Sequence, residues 1–113
     1  MEKGMPSWSL EKLRQMSKGN EAFVQKMLAI FLEQTPIRLT EMEKSYAEGN
    51  LHKLGEIAHK MKPGMDSFEM TGLLQTVRKL EKAMENSLEE NETLLLHLSQ
   101  SMKQILAEME KGG

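Results

Sequence analysis

Apolar residues recur along this chain at the spacing of buried helix faces. Steps of three or four residues place successive side chains on one side of an α-helix. One such stripe consists of Leu51, Leu54, Ala58, Met61 and Met65. Similar stripes run through three other long segments, and no alternating apolar and polar run typical of a β-strand occurs. The pattern predicts an all-α protein.

Polar residues and one glycine mark where these helices begin and end. Ser9 is the predicted N-cap of a short first helix. Asn20 and Asn50 predict the N-caps of the second and third helices, and Gly49 predicts the left-handed residue that follows the second. "SLEE" at Ser87–Glu90 has the spacing of a capping box, so it predicts the start of the last helix.

The apolar stripe changes phase after Phe68, which indicates a turn between the third and fourth long helices. The new stripe consists of Leu73, Val77, Leu80 and Met84. We therefore expect the fourth helix to extend to Met84 and to bury its side chain.

Four long helices and one short helix follow from these patterns, with short connections between them. Short connections force consecutive helices to run antiparallel. The expected fold is an antiparallel up-down-up-down four-helix bundle with a short additional N-terminal helix. Since 113 residues are one domain's worth, we expect a single domain over residues 1–113, with its core from about residue 8 to about residue 110.

Composition narrows the function classes. Apolar residues are 39% and charged residues 28% of the chain, which is typical of a globular protein. The net charge of −2 leaves no basic excess for nucleic acid. With no cysteine, disulfides and thiolate chemistry are excluded. No apolar run is long enough for a membrane span or a signal peptide. We expect a cytoplasmic protein that binds neither nucleic acid nor membranes.

The stretch "IAHKMKPGMDSF" places a histidine outside the buried stripe. At about 100° per residue, His59 lies near 140° from Leu54 around the third helix. One turn earlier stands Gly55, although glycine in a helix interior costs about 1 kcal/mol relative to alanine. It leaves room for another molecule to approach the imidazole, or it permits close contact with a neighbouring helix. The residues alone leave both explanations open.

A proline follows His59 at the position where a helical N–H would bind its carbonyl. Pro63 removes that donor, which predicts either an early end of the helix or a bend at His59. Because Met65 and Phe68 keep the inward phase, the pattern favours a helix that continues with a bend.

The other histidines do not complete a metal or catalytic motif. His52 is about 10.5 Å from His59 by helical rise, too far to share one metal ion. His97 stands between leucines in the last helix, which favours a structural role. No Ser-His-Asp order, phosphate-binding glycine loop or zincin motif is present. A helical metalloenzyme is therefore disfavoured.

The segment "AHKMKPG", followed by "SFEMTGLLQTVRKLE", resembles the histidine-containing phosphotransfer (HPt) domains of bacterial phosphorelays. The family's run of histidine, apolar residue, lysine, small residue and a later "LE" is matched by His59, Met61, Lys62, Gly64 and Leu80-Glu81. The upstream segments "FLEQ" and "AEGNLHKLGEI" also resemble the family, and the resemblance covers about Trp8 to Glu110. One departure is Pro63, which stands where the family most often has glycine.

The resemblance implies a phosphocarrier without kinase activity of its own. His59 would accept a phosphoryl group on Nε2 from a receiver-domain aspartate and pass it to another receiver domain. Lys62, and secondarily Lys60, would neutralise the phosphoryl oxygens. Glu81 would hold the imidazole N–H, and Gln34 could do the same. No cofactor or metal is expected on this chain, because the Mg²⁺ would belong to the receiver domain.

The resemblance also implies partners and a docking patch. The partners would be response-regulator receiver domains and a hybrid sensor histidine kinase, bound transiently by a monomer. The expected patch includes Gly55, Glu56, Lys60, Pro63, Gly64 and Ser67, with part of the first two helices. The alternative functions are a non-catalytic helical adaptor and a protein that assembles through methionine-rich surfaces.

Overall fold

The computed structural model describes residues 7–112, which form five helices joined by short connections. They are α1 (Glu11–Met16), α2 (Glu21–Ala47), α3 (Leu51–Ser67), α4 (Thr71–Glu81) and α5 (Leu88–Gly112). Helix α3 packs between α2 and α4, α5 closes the bundle against the same two helices, and α1 packs on α2. The predicted helical bundle with a short N-terminal helix is confirmed. In the part of the chain that the structure describes, no helix is long and apolar enough to cross a membrane.

The predicted apolar stripes form one continuous core. Its aromatic centre is a contact between Phe31 of α2 and Phe68, whose ring centroids are 4.8 Å apart. Flexible thioether side chains fill much of the remaining space. The buried methionines are Met42, Met61, Met65, Met70, Met102 and Met109.

Local capping fixes most of the helix boundaries. The Asn20 Oδ1 accepts a hydrogen bond from the Phe23 N–H at 3.1 Å, and the Asn50 Oδ1 accepts one from the Lys53 N–H at the same distance. The Ser87 hydroxyl accepts from the Glu90 N–H at 3.0 Å. These three N-caps were predicted and are confirmed, as is the left-handed Gly49, whose φ is 75°.

The start of α1 differs from the prediction. The helix begins at Glu11 and its N-cap is Leu10, which has no capping side chain, so the prediction of Ser9 as N-cap was wrong. The Ser9 hydroxyl still accepts from the Glu11 N–H at 3.0 Å. The backbone N–H of Ser9 donates to the Phe68 carbonyl at 2.9 Å. This bond ties the segment before α1 to the connection between α3 and α4.

The prediction that α4 extends to a buried Met84 was wrong. Helix α4 ends at Glu81, and Met84 is 68% exposed. Two asparagine side chains donate hydrogen bonds to backbone carbonyls near this end. Asn86 donates to the Lys79 carbonyl and Asn91 donates to the Ala83 carbonyl, both at 2.9 Å. Because these side chains replace helical N–H donors, the helix terminates one turn early. The early end leaves Glu81 at the last position of α4, beside α3.

Helix α3 continues through Pro63 to Ser67, so the predicted continuation is confirmed. The Ser67 hydroxyl donates to the Pro63 carbonyl at 3.0 Å. Because α3 is not interrupted at Pro63, the residues after His59 keep helical spacing. Lys62 therefore lies on the same side of α3 as His59.

Candidate functional site

One face of α3 meets the end of α4. Gly55, His59 and Lys62 are separated by four and three residues, so they lie on the same side of α3. Glu81, the last residue of α4, lies against this side. The asparagine-capped end of α4 thus brings one carboxylate to the histidine and the lysine.

The imidazole of His59 is exposed, and one of its two ring nitrogens is hydrogen-bonded. Its Nδ1 is 2.5 Å from the Glu81 Oε2, while the side chain of His59 is 70% exposed. Because an ionised carboxylate only accepts hydrogen bonds, Nδ1 carries the proton and donates it. In a neutral ring the lone pair is then on Nε2. Within residues 7–112, Nε2 has no hydrogen-bond partner. The arrangement presents an accessible nucleophilic nitrogen.

Lys62 binds the other oxygen of the same carboxylate. Its ammonium nitrogen is 2.9 Å from the Glu81 Oε1, and the Lys62 and Glu81 side chains are 30% and 22% exposed. Burial alone raises the pKa of the Glu81 carboxyl, but hydrogen bonds and positive charge from Lys62 and His59 outweigh it and lower that pKa below its ordinary value. Glu81 therefore stays ionised at neutral pH and keeps its acceptor role.

Lys60 of α3 and Gln34 of α2 lie where α2 packs on α3, away from the contact between α3 and the end of α4. They line a cavity of about 120 Å³ between α2 and α3, together with Gly64 and Ser67. The Nδ1 of His59 is paired with Glu81, and the proposed contact of Gln34 with the imidazole N–H stays a prediction. Of the two predicted lysines, only Lys62 reaches the carboxylate that holds the histidine.

The residues predicted for docking differ in exposure. Glu56, Lys60 and Pro63 are exposed, and Gly64 and Ser67 are half-buried. Gly55 is buried beneath the end of α4, and its predicted place in a partner-facing patch stays a prediction. Of the two explanations for this glycine, the structure supports close contact with a neighbouring helix.

Two features of the structure were not predicted. Met84, displaced by the early end of α4, lines a cavity of about 300 Å³ with His59 and Glu81. On α2, Phe23, Ile30 and Ile37 are exposed. Their seven-residue spacing places these three on one helix face outside the buried stripe, a signal that the sequence does contain.

In the part of the chain that the structure describes, the other titratable groups near His59 are not arranged as a metal site. His52 Nε2 is 3.3 Å from the Glu56 carboxylate, one turn along α3. Among residues 7–112, no group of three or more histidine, aspartate or glutamate side chains is arranged to hold a metal ion. The ligand geometry of a helical metalloenzyme is therefore not found there.

Comparison with known proteins gives one match. The family model described as "Hpt domain" matches residues 26–110, which is more than half of the chain. No curated protein and no solved structure matches the chain.

Proposed function

Because the chain belongs to the Hpt domain family, we propose that His59 accepts a phosphoryl group from the aspartyl phosphate of one receiver domain and delivers it to the aspartate of another. Domains of this family are phosphotransfer intermediates of phosphorelays, interact with receiver domains of two-component systems and have no kinase activity. The family resemblance seen in the sequence is thereby confirmed.

The observation that carries the proposal is the exposed imidazole held at Nδ1 by Glu81. The lone pair of Nε2 attacks phosphorus, and the bond between phosphorus and the aspartate oxygen breaks. The aspartate leaves as a carboxylate, and no proton has to move. The ring gains positive charge, which the Glu81 carboxylate stabilises at 2.5 Å. Transfer to the next aspartate reverses these steps.

The receiver domain would supply the remaining chemistry. Phosphoryl transfer depends mainly on positioning and on neutralisation of the phosphoryl oxygens. Mg²⁺ bound by the receiver would provide part of that charge, and Lys60 or Lys62 would provide more from this chain. The exposed residues Glu56, Lys60 and Pro63 lie within about one turn of His59 along α3 and are proposed to contact the receiver. The hybrid kinase as phosphoryl source, the monomeric state and a cytoplasmic location belong to the same proposal.

The test is incubation of the purified protein with a phosphorylated receiver domain and Mg²⁺. The account predicts that the protein acquires a phosphate that is labile in acid and stable in base, as expected for phosphohistidine. If no receiver domain of the same organism transfers its phosphate, the non-catalytic adaptor becomes the better explanation.

Replacing Lys62 with alanine should slow phosphoryl transfer about three- to tenfold, because an ion pair of this exposure contributes of order 1 kcal/mol. The Lys62→Ala protein should stay folded, since the lysine is part of the α3 surface and not of the core. Rapid-quench measurement of the transfer rate and thermal unfolding would check both expectations. Lys53→Ala, an exposed lysine earlier on α3, is the matched control. A large loss of stability in Lys62→Ala would assign the lysine a structural role instead.

A further inference from the structure

We infer that Gly55 is a positioning residue for phosphoryl transfer, because its missing side chain lets the end of α4 bring Glu81 to His59. The inference rests on the proposed function. It states that residue 55 must be glycine, although this residue touches neither the phosphoryl group nor the imidazole.

The contact at Gly55 is with backbone. A Cβ atom at this position would lie 2.7 Å from the Glu81 carbonyl oxygen, 3.4 Å from its carbonyl carbon and 3.6 Å from the Leu80 carbonyl oxygen. Ordinary contacts of a Cβ begin at 3.4 Å. Since a helix backbone cannot rotate away as a side chain does, a methyl group here would displace the end of α4 from α3.

Two other helical glycines, Gly64 and Gly72, have no such requirement. A Cβ at Gly64 would meet only the ring of Phe31, at 3.4 Å, and a Cβ at Gly72 would meet nothing within 4 Å. Glycine is unfavourable in a helix interior. Its presence at residue 55 is explained by the approach of α4.

The same approach sets the geometry of the charged site. The Glu81 backbone covers Gly55, and its carboxylate reaches His59 and Lys62, which follow on the same side of α3. Restoring ordinary contact requires a displacement from 2.7 Å to 3.4 Å, about 0.7 Å. A shift of that size at the Glu81 backbone would lengthen the 2.5 Å separation between the Glu81 carboxylate and Nδ1 to as much as about 3.2 Å, the outer end of the usual N–H···O range. The hydrogen bond that fixes the imidazole proton on Nδ1 is then weakened.

The kinetic test compares Gly55→Ala with Gly72→Ala. Gly55→Ala should slow transfer from a phosphorylated receiver about tenfold, since sub-ångström misplacement at a reacting group has effects of that order. Gly72→Ala should leave the rate unchanged. Adding Gly55→Ala to Glu81→Gln should cause no further slowing, because both changes act through the same contact between the residue 81 side chain and the His59 ring. Independent, multiplicative effects would overturn the inference.

A spectroscopic test needs no phosphoryl transfer. Nitrogen NMR of the unphosphorylated protein should show the His59 ring with its proton on Nδ1 in the unmodified chain and in Gly72→Ala. In Gly55→Ala the proton should be distributed over both ring nitrogens. An unchanged Nδ1–H signal in Gly55→Ala would overturn the inference even if the protein is slower. Absence of transfer in the unmodified chain would instead contradict the proposed function and leave this result standing.

Folding of the variant is checked by circular dichroism. If Gly55→Ala is unfolded, the NMR spectrum is recorded at low temperature with trimethylamine N-oxide, which favours the folded state. A variant that stays unfolded under these conditions would also overturn the inference, because Gly55 would then be required for the fold as a whole.

Discussion

The His59→Gln protein should acquire no phosphate from any phosphorylated receiver domain, while its fold is retained. Glutamine has a similar polar surface but no nucleophilic ring nitrogen. Because His59 is exposed, the free energy of unfolding should change by no more than about 0.5 kcal/mol. Phosphate incorporation and urea unfolding of the same preparation would measure both quantities.

The two other histidines provide matched controls. His52 and His97 are exposed helix residues. His52 differs from His59 in that its Nε2, and not its Nδ1, is next to a carboxylate. His52→Gln and His97→Gln should be phosphorylated at the unmodified rate. Phosphate that persists in His59→Gln and disappears in either control would move the acceptor away from the α3–α4 site.

Replacing Glu81 with glutamine should slow phosphoryl transfer about 10- to 100-fold, the range that corresponds to a hydrogen bond to a charged group worth 1.5–3 kcal/mol. The amide keeps the size of the carboxylate but loses its charge, so the positive ring formed during transfer is no longer neutralised. The amide can also donate to Nδ1, which would place the ring proton on Nε2 and block the nucleophile. Single-turnover kinetics would show the effect.

Glu43→Gln is the control for this change, since Glu43 accepts a hydrogen bond from Ser99 on a contact between α2 and α5. It should transfer at the unmodified rate. Equal rates for Glu81→Gln and the unmodified chain would exclude Glu81 from the mechanism.

The same substitution has a pH-dependent effect on stability. The pKa of Glu81 is lowered in the folded protein, so the folded state binds fewer protons at this site than the unfolded state. The resulting stabilisation is fully present above the ordinary glutamate pKa and is lost as the pH falls through the lowered value. In urea unfolding from about pH 7 to about pH 3, the stability difference between the unmodified chain and Glu81→Gln should therefore shrink at the acidic end. A difference that does not change with pH would contradict the ion-pair description.

The sequence allowed most of the fold to be predicted, because the signals for it are local. Asn20, Asn50 and Ser87 each cap a helix through a bond three residues away. The end of α4 was missed because it depends on Asn86 and Asn91 donating to the carbonyls of Lys79 and Ala83, contacts made only when the chain has turned. The periodicity up to Met84 cannot show such a contact.

The candidate site was predictable in its residue types and less so in its geometry. The family resemblance identified His59, Lys62 and Glu81. The pairing of Lys62 with the carboxylate, and the need for glycine at residue 55, depend on how closely α3 and α4 approach. The sequence did not decide between Glu81 and Gln34 as the partner of the imidazole, because helical spacing gives the angular position of a residue and does not show which neighbouring helix lies opposite it.

The most direct measurement locates the phosphate on the protein after transfer. The chain is prepared with nitrogen-labelled histidine, phosphorylated by a receiver domain and examined by nitrogen and phosphorus NMR. The account predicts coupling between phosphorus and Nε2 of His59, with the proton still on Nδ1 beside Glu81. Phosphate on Nδ1 of His59, or on any other residue, would contradict it.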